Sequence, residues 1–180
     1  LWGGFTLRGY GKLGFGNDLP FYKNFYAGGY GSVRGYDNSS LGPKYPSVIF
    51  QATDNEDKDP EEVGGNALVQ FGTELALPLP FKGDWTRQVR PVLFAEGAQV
   101  FDTQCNVPNG DILVDGTAVD IKQYCKDNYK FDMNNMRYSV GAGFTWITMI
   151  GPLSLSYAYP LNDKKGDITK SVQFEIGRTF

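Results

Sequence analysis

The chain has 180 residues, 41% of them apolar and 21% charged, with a formal net charge of -3. This length supports one domain with a sizeable core, and the acidic balance without a cluster of lysine or arginine argues against a nucleic-acid partner. The sequence contains no histidine, which removes Ser-His-Asp catalysis, Cys-His catalysis and His-ligated metal sites, and no run of about 18 apolar residues from which a membrane-spanning helix could form.

The chain opens with LWGGFTLRGY, which predicts a strand and has no features of a signal peptide. Because it starts inside a strand, we expect it to be a fragment of a longer protein. Residues 5–16 place Arg8 and Lys12 on one face of this strand. The stretch GYGKLG within it fits the G-x-G-x-x-G phosphate pattern, but no amphipathic helix follows, so we interpret these glycines as part of a curved strand.

Residues 17–64 form a long polar loop without helical or strand periodicity. Its stretch GGYGSVRGYDNSSLGP places Arg34 among glycines and aromatic residues, and such a loop loses much conformational entropy unless something ordered holds it. A guanidinium is best satisfied by planar acidic partners. The acidic run DNEDKDPEE, residues 54–62, lacks the glycine and the regular spacing of a calcium loop, and we interpret it as a solvated extracellular loop.

Four segments alternate apolar and polar residues with the period of two that is typical of β-strands. They are residues 66–81, 136–148, 152–160 and 171–180, and with the less regular segments 5–16 and 87–102 they predict about six strands. Short turns, LPFKGDWT and MIGP, alternate with the long polar loops 17–64 and 103–134, which is the layout of an outer-membrane barrel.

A soluble β-sandwich produces the same alternation, so the composition of the two faces separates these folds. The polar face consists of serine, glycine, glutamine, glutamate and arginine, which suits a wet lumen better than open solvent. Aromatic residues near the strand ends are typical of the interfacial girdle of a membrane barrel. They include Trp146, Tyr157, Tyr159 and Phe180.

Two carboxylates, Glu74 and Glu96, fall on the polar face of neighbouring predicted strands. Such a pair suits a glycosidase, or it neutralises a cation. Arg34 is a cation on a loop long enough to reach both residues. We therefore predict that the loop folds inward and that its guanidinium is clamped by the two carboxylates inside the barrel.

The two cysteines, Cys105 and Cys125, lie twenty positions apart in the polar segment 103–134. This spacing is unlike that of zinc or thioredoxin-type sites, and it predicts a disulfide, with two free thiols as the alternative. Closing a loop of this size contributes ~3 kcal/mol in the chain-entropy model and requires an oxidising compartment.

The strings FYKNFYAGGYGSVRGY, GGNAL, GPLSLSYAYPL and QFEIGRTF resemble the carboxy-terminal half of the barrel of the BamA family, the outer-membrane insertases of the bacterial surface antigen superfamily. The resemblance runs from about residue 5 to the end. It implies an all-β fold in which residues 1–180 supply about six C-terminal strands of a sixteen-stranded antiparallel transmembrane β-barrel. The loop at about 17–64 is then loop six, a long loop that inserts into the lumen.

Loop six of this family carries a VRGF/Y motif whose arginine contacts acidic residues of the twelfth and thirteenth strands. By position, the motif matches Val33, Arg34, Gly35 and Tyr36. Glu74 and Glu96 match the acidic residues, and Asp102 is a third nearby carboxylate. The resemblance therefore implies the same latch that the residues themselves predict.

The closing strand, at about 170–180, resembles the outer-membrane β-signal, in which alternate apolar residues end on an aromatic one. The residues of this signal are Val172, Phe174, Ile176, Gly177 and Phe180. In the family this strand pairs weakly with the first strand, and the seam opens sideways to template incoming strands. The alternative is the generic terminus of a barrel such as a porin.

The implied function is non-enzymatic folding and insertion of β-barrel proteins into the bacterial outer membrane, with no catalytic residue, metal or cofactor. The implied partners are unfolded outer-membrane proteins, lipoproteins of an assembly complex, and outer-membrane lipids and lipopolysaccharide. Rival functions are a two-partner secretion or TamA-like transporter, a passive porin, and a barrel enzyme such as a phospholipase.

The sequence departs from the family in two respects. Six strands cannot close a barrel of sixteen and the amino-terminal POTRA domains are absent, so we expect that this segment alone does not carry out the whole function. The cysteines lie in the loop after the thirteenth strand and not in loop six, so their pairing is predicted from spacing alone.

Overall fold

The computed structural model of the chain describes residues 5–45, 61–79, 83, 88–105, 111–114, 117–149, 151–164 and 166–177. In chain order the strands are β1 (Thr6–Phe15), β2 (Gly35–Tyr36), β3 (Lys44–Tyr45), β4 (Glu61–Glu62), β5 (Ala67–Ala76), β6 (Val89–Phe101), β7 (Asp111–Val114), β8 (Thr117–Asp120), β9 (Arg137–Thr148), β10 (Gly151–Pro160), β11 (Thr169–Lys170) and β12 (Val172–Ile176). The α-helix α1 spans Ile121–Asn128, and short 3-10 turns span Phe21–Lys23 and Met133–Asn135.

Six strands form one antiparallel sheet in the order β1-β5-β6-β9-β10-β12, so each long strand pairs with the next one along the chain. Two short connections, β5 to β6 and β9 to β10, lie at one end of the sheet. The long segments after β1 and β6 lie at the other end, together with the segment between β10 and β12. The predicted strands are therefore confirmed, whereas most of the predicted turn LPFKGDWT and parts of the long loops lie outside the described residues.

The strand predicted over residues 66–81 ends earlier, at Ala76. The residues that follow, LPLPF, include Pro78, which has no backbone N–H to donate to a neighbouring strand. The Leu77 N–H still donates to the carbonyl oxygen of Pro91 at 3.0 Å, after which Pro78 offers no donor; residues 80 and 81 lie outside the described residues.

The two faces of the sheet are inverted relative to a soluble β-sandwich. Polar residues are buried on the face that loop six covers, which we call the inner face; Gln70 and Glu74 are 5% and 7% exposed. Apolar residues project from the opposite, outer face, where Leu7 and Phe174 are 74% and 58% exposed. A sandwich buries its apolar face, whereas a membrane barrel turns that face toward lipid. The sheet is therefore a segment of a transmembrane β-barrel.

The aromatic residues predicted to form a girdle lie on the outer face. Trp146, Tyr157 and Tyr159 are all exposed there, whereas Phe180 lies outside the described residues. Among the described residues, no helix combines the length and the apolar character needed to cross a membrane.

The segment between β6 and β9 contains more regular structure than the sequence predicts. It carries the hairpin of β7 and β8, followed by α1, whose N-cap residue Asp120 accepts a hydrogen bond from the backbone N–H of Gln123 at 2.9 Å. Helix α1 has only eight residues, and only Ile121 and Cys125 within it are buried, too few for a helical period to stand out.

A small apolar core lies between loop six and the inner face of the sheet. The residues of loop six in this core are Ala27, Val33, Tyr36 and Leu41, and those of the sheet are Leu68, Ala98 and Val100. Burial of these side chains offsets part of the conformational entropy that a glycine-rich loop loses when it becomes ordered.

Candidate functional site

Loop six is held against the inner face by short pieces of backbone pairing at several points. Strand β2 pairs with β11, and an isolated bridge joins Phe25 to Gly65, just before β5; a second bridge, between Ala27 and Leu41, closes the loop on itself. The turn that leads into the VRGY motif needs glycine: Gly28, Gly29 and Gly31 have φ angles of 104°, 83° and 85°, which side chains rarely adopt. The glycine run thus turns the chain so that Arg34 faces the sheet.

Arg34 is 2% exposed and lies between the two predicted carboxylates. Its Nε donates to Glu96 Oε1 at 2.9 Å, and its Nη2 donates to Glu96 Oε1 at 2.5 Å and to Glu74 Oε1 at 2.6 Å. The backbone N–H of Arg34 donates to the other oxygen, Glu96 Oε2, at 2.8 Å. Glu96 therefore holds both the side chain and the main chain of the motif arginine.

Aromatic residues that the sequence does not predict also surround this arginine, among them Tyr30, whose ring centroid lies 5.5 Å from the guanidinium carbon. The Tyr10 hydroxyl donates to Glu96 Oε1 at 2.7 Å, which brings β1 into the group. The Arg34 guanidinium carbon lies 3.5 Å from the centroid of the Phe94 ring, within range of a cation–π contact. Strand parity, the alternation of side chains between the two faces of a strand, could have placed both strand residues on the inner face. Tyr10 shares a face with Arg8, and Phe94 precedes Glu96 by two residues.

The charge of Arg34 is maintained by its partners. Burial by itself lowers the pKa of the guanidinium, but the hydrogen bonds and negative charges of Glu96 and Glu74 outweigh burial and raise the pKa above its ordinary value. Arg34 therefore stays positive at neutral pH despite its burial.

The remaining motif residues pack the loop in place. Val33 and Tyr36 are fully buried, and the Tyr36 hydroxyl donates to the carbonyl oxygen of Tyr138 at 3.4 Å. Burial, with a further contribution from the charge of Asp167, raises the pKa of Tyr36 to about 12. Gly35 has a φ of 96°, and a Cβ at this position would lie 3.2 Å from Cβ of Ala158, so the turn favours glycine on two counts.

The structure does not bring Asp102 into this group. Its Oδ1 accepts hydrogen bonds from the backbone N–H groups of Gln104 at 2.9 Å and Cys105 at 3.0 Å. Asp102 lies six residues beyond Glu96, which is about 20 Å along an extended chain. This carboxylate fixes the turn that follows β6, so the expectation of a third latch carboxylate is replaced by a structural role.

Cys105 and Cys125 form the disulfide that their spacing predicts, with Cα atoms 5.8 Å apart. Asp102 is the only other metal-ligand type of side chain beside them in the described part of the chain. Because both sulfur atoms are bonded to each other, this cluster does not offer thiolate ligands. Of the acidic run at residues 54–62, only Glu61 and Glu62 are among the described residues, where they form β4.

The two carboxylates do not have the surroundings of a glycosidase pair. Both share one guanidinium, both are buried beneath loop six, and Glu96 is only 3% exposed. A glycosidase needs one carboxyl group free to give up a proton and space for a sugar between the two. The arrangement instead suits neutralisation of the cation, the alternative that the sequence left open.

The closing strand presents its apolar signal residues outward. Val172, Phe174 and Ile176 are exposed on the outer face, and Gly177 has a φ of 86°. Strand β12 pairs with β10 on one side, and in the described sheet its other edge has no partner, as is also true of β1 at the opposite end. Phe180 lies outside the described residues.

Comparisons with known proteins agree with this geometry. The profile of the Omp85 superfamily domain matches residues 2–180. The outer membrane protein assembly factor BamA of Neisseria meningitidis serogroup B is 36% identical over 172 residues, which cover 96% of this chain and 20% of that protein. The sorting and assembly machinery component 50 homolog of Bos taurus is 28% identical over 187 residues, covering 100% of this chain and 32% of the relative.

A solved structure shows the same fold. The crystal structure of BamA from Haemophilus ducreyi lacking POTRA domains 1–3 superposes with a TM-score of 0.71 at 31% identity, covering 94% of this chain and 30% of that one. The chain thus spans between a fifth and a third of the length of these relatives.

Proposed function

The chain belongs to the Omp85 superfamily and is a segment of an outer-membrane β-barrel, and from this premise we propose that it supplies the luminal latch and the closing strand of an insertase that folds β-barrel proteins into the bacterial outer membrane. The proposed activity is non-enzymatic. Its substrates are unfolded outer-membrane proteins, and its surroundings are assembly-complex lipoproteins, outer-membrane lipids and lipopolysaccharide.

One observation supports the proposal: loop six packs on the inner face of the sheet, and its Arg34 forms buried ion pairs with Glu74 and Glu96. A buried ion pair adds little net stability, because desolvation of the charges opposes their attraction, but it specifies one arrangement of the chain. A passive porin needs an open lumen, so a loop fixed against the wall by a buried arginine argues against free conduction.

The closing strand gives the proposal its mechanism. An edge strand offers unpaired N–H and C=O groups, which are a template for another strand. In the proposed mechanism the seam beside β12 opens, an incoming strand pairs with the exposed edge, and backbone hydrogen bonding drives its insertion without a nucleotide or a metal. The apolar outer face of β12 places the new strand at the level of the lipid.

A transporter of the two-partner secretion or TamA type is the second candidate, because it shares the fold. The insertase is favoured because the relatives from Neisseria and Bos taurus are described as an assembly factor and as a sorting and assembly component.

Reconstitution tests this proposal. The full-length protein in which the segment lies would be placed in liposomes with an unfolded outer-membrane barrel as substrate, and insertion would be followed by protection from protease. We expect the wild type to accelerate insertion and Arg34→Ala to slow it, whereas Arg8→Ala, on the same inner face, should not. Liposomes that conduct ions without accelerating insertion would identify a porin, and secretion of a partner without insertion would identify a transporter.

A further inference from the structure

The strand that closes the barrel changes its partner partway along its length. Strand β12 pairs with β10 over residues 172–176, whereas β11, immediately before it, pairs with β2 of loop six through Thr169 with Tyr36 and Lys170 with Gly35. The switch occurs at Ser171, whose carbonyl oxygen still accepts the N–H of Ala158 at 2.8 Å. The same strand thus contributes to the barrel wall and to the loop inside it.

Gln173 is the first inner-facing residue of β12 after this switch. Its side chain is buried, with the residue 6% exposed, and its Nε2 donates to the carbonyl oxygen of Tyr36 at 2.6 Å. The next residue of loop six, Asp37, donates its N–H to the carbonyl oxygen of Ile168 at 2.8 Å. Loop six is therefore bonded to the closing strand on both sides of the switch.

These bonds place the latch motif between two parts of the sheet. Arg34 binds Glu74 on β5 and Glu96 on β6, and two residues later the Tyr36 carbonyl binds Gln173 on β12. Two residues of extended chain span only about 7 Å, so the two ends of the motif cannot move independently by more than a few ångströms. Because the backbone N–H of Arg34 is also bonded to Glu96, movement of this main chain away from Glu96 pulls on the contact with Gln173 or breaks it.

We propose that Gln173 is a positioning residue that couples the latch to the closing strand, so that release of Arg34 loosens β12 where the seam opens. The coupling is reciprocal, because two sites that share one equilibrium bias each other equally: opening of β12 also weakens the hold on Arg34. This inference rests on the proposed function, in which the edge of β12 receives the incoming strand.

Hydrogen exchange of the full-length protein in lipid bilayers tests the coupling. The readout is the set of amides in residues 172–176 that bond to β10, because these amides make no bond to loop six. We expect Arg34→Ala to raise their exchange rate by roughly 5- to 150-fold, the range of typical coupling energies. In a Gln173→Leu background, the same Arg34→Ala change should have no further effect on these amides.

Two variants separate coupling from a general loss of packing. Gln173→His keeps an N–H donor at a similar distance from the backbone and should preserve the response to Arg34→Ala. Glu175→Gln changes the next inner-facing residue of β12, for which the described structure shows no bond to loop six, and should also preserve it. If Gln173→Leu and Arg34→Ala raise exchange additively, or if Arg34→Ala loosens loop six alone, Gln173 does not couple the two elements.

The exchange experiment does not depend on insertion of a substrate. If exchange is non-additive as predicted but the protein does not accelerate insertion, the result supports the coupling and contradicts the proposed function. If the protein accelerates insertion but exchange is purely additive, the result supports the proposed function and contradicts the coupling.

Discussion

At the scale of single residues, Arg34 joins elements that are far apart along the chain. Its partners Glu74 and Glu96 lie on two strands, and Tyr10 on a third strand binds the same Glu96 oxygen. Removing one member of such a buried group leaves the remaining charge without compensation, which typically costs about 3–5 kcal/mol. The latch is therefore more sensitive to the loss of a partner than its net stability suggests.

The first prediction concerns the planar shape of the arginine. Arg34→Lys keeps the charge but loses the fork that reaches both carboxylates, and we expect the full-length barrel to lose about 2 kcal/mol of stability. Denaturant unfolding in detergent micelles measures this loss. Arg8→Lys is the matched control and should change stability by less than about 0.5 kcal/mol, since Arg8 has no ion pair among the described residues. Equal losses in both variants would contradict the clamp.

The second prediction concerns the turn after the arginine. Gly35→Ala places a side chain in the left-handed region and against Ala158, and it should lower stability by about 1–3 kcal/mol. Gel electrophoresis of heated samples measures this loss of stability. The folded barrel migrates as a compact species, and the midpoint is the temperature at which half of it has shifted to the unfolded position. Gly9→Ala, where a Cβ meets no atom within 4 Å, should be neutral or slightly stabilising. A loss at Gly9 as large as that at Gly35 would mean that backbone conformation is not the cause.

At the scale of elements, the disulfide-linked segment between β6 and β9 is bonded both to loop six and to β6. The Tyr129 hydroxyl donates to the Lys44 carbonyl, and Gln99 Nε2 donates to the Lys130 carbonyl at 3.3 Å. The disulfide restricts the conformations that this segment can adopt when it is unfolded, so it favours the docked arrangement.

The third prediction is that the disulfide stabilises this segment locally. A Cys105→Ser/Cys125→Ser variant should lose up to about 3 kcal/mol of local stability, with protease cleavage between residues 103 and 134 rising while the strands stay protected. Limited proteolysis of the protein in outer-membrane vesicles measures this. Reduction of the wild type should produce the same cleavage. Cleavage that is unchanged in both cases would show that packing alone holds the segment.

The strands were predictable from sequence because alternation is a local property of each strand. Helix α1 was not, since two turns with only Ile121 and Cys125 buried leave no visible period. The end of β5 was also missed, because alternating leucine and proline imitates a strand pattern while Pro78 removes a donor. Sequence patterns therefore identified the sheet but not the ends and loops attached to it.

The candidate site was predictable to the extent that strand parity determines it. Parity places Glu74 and Glu96 on one face, and Arg34 is a cation whose loop reaches them. The same parity applies to Asp102, but parity gives the face and not the height along the strand, so Asp102 was grouped with residues from which it is well separated. Parity also places Tyr10 on this face, but its bond to Glu96 and the bond of Gln173 to loop six depend on register and on the path of the loop, which no local pattern encodes.

At the scale of the whole molecule, the sheet turns apolar side chains outward and polar ones toward a loop in the lumen. This distribution suits a membrane, because lipid covers the apolar side chains of the outer face while the polar inner face holds an ordered ion pair. The chain spans only part of the length of its relatives, so the latch and the closing strand are proposed as parts of a larger barrel.

The most direct test of the central claim is a charge swap in the full-length protein, scored by assembly of outer-membrane proteins and by viability of the cells. Arg34→Glu and Glu96→Arg should each impair assembly, because each places like charges together in a buried site. The double variant restores an opposite pair and should recover much of the activity. Normal assembly in all three variants would contradict the account, because it would show that the latch is not needed for insertion.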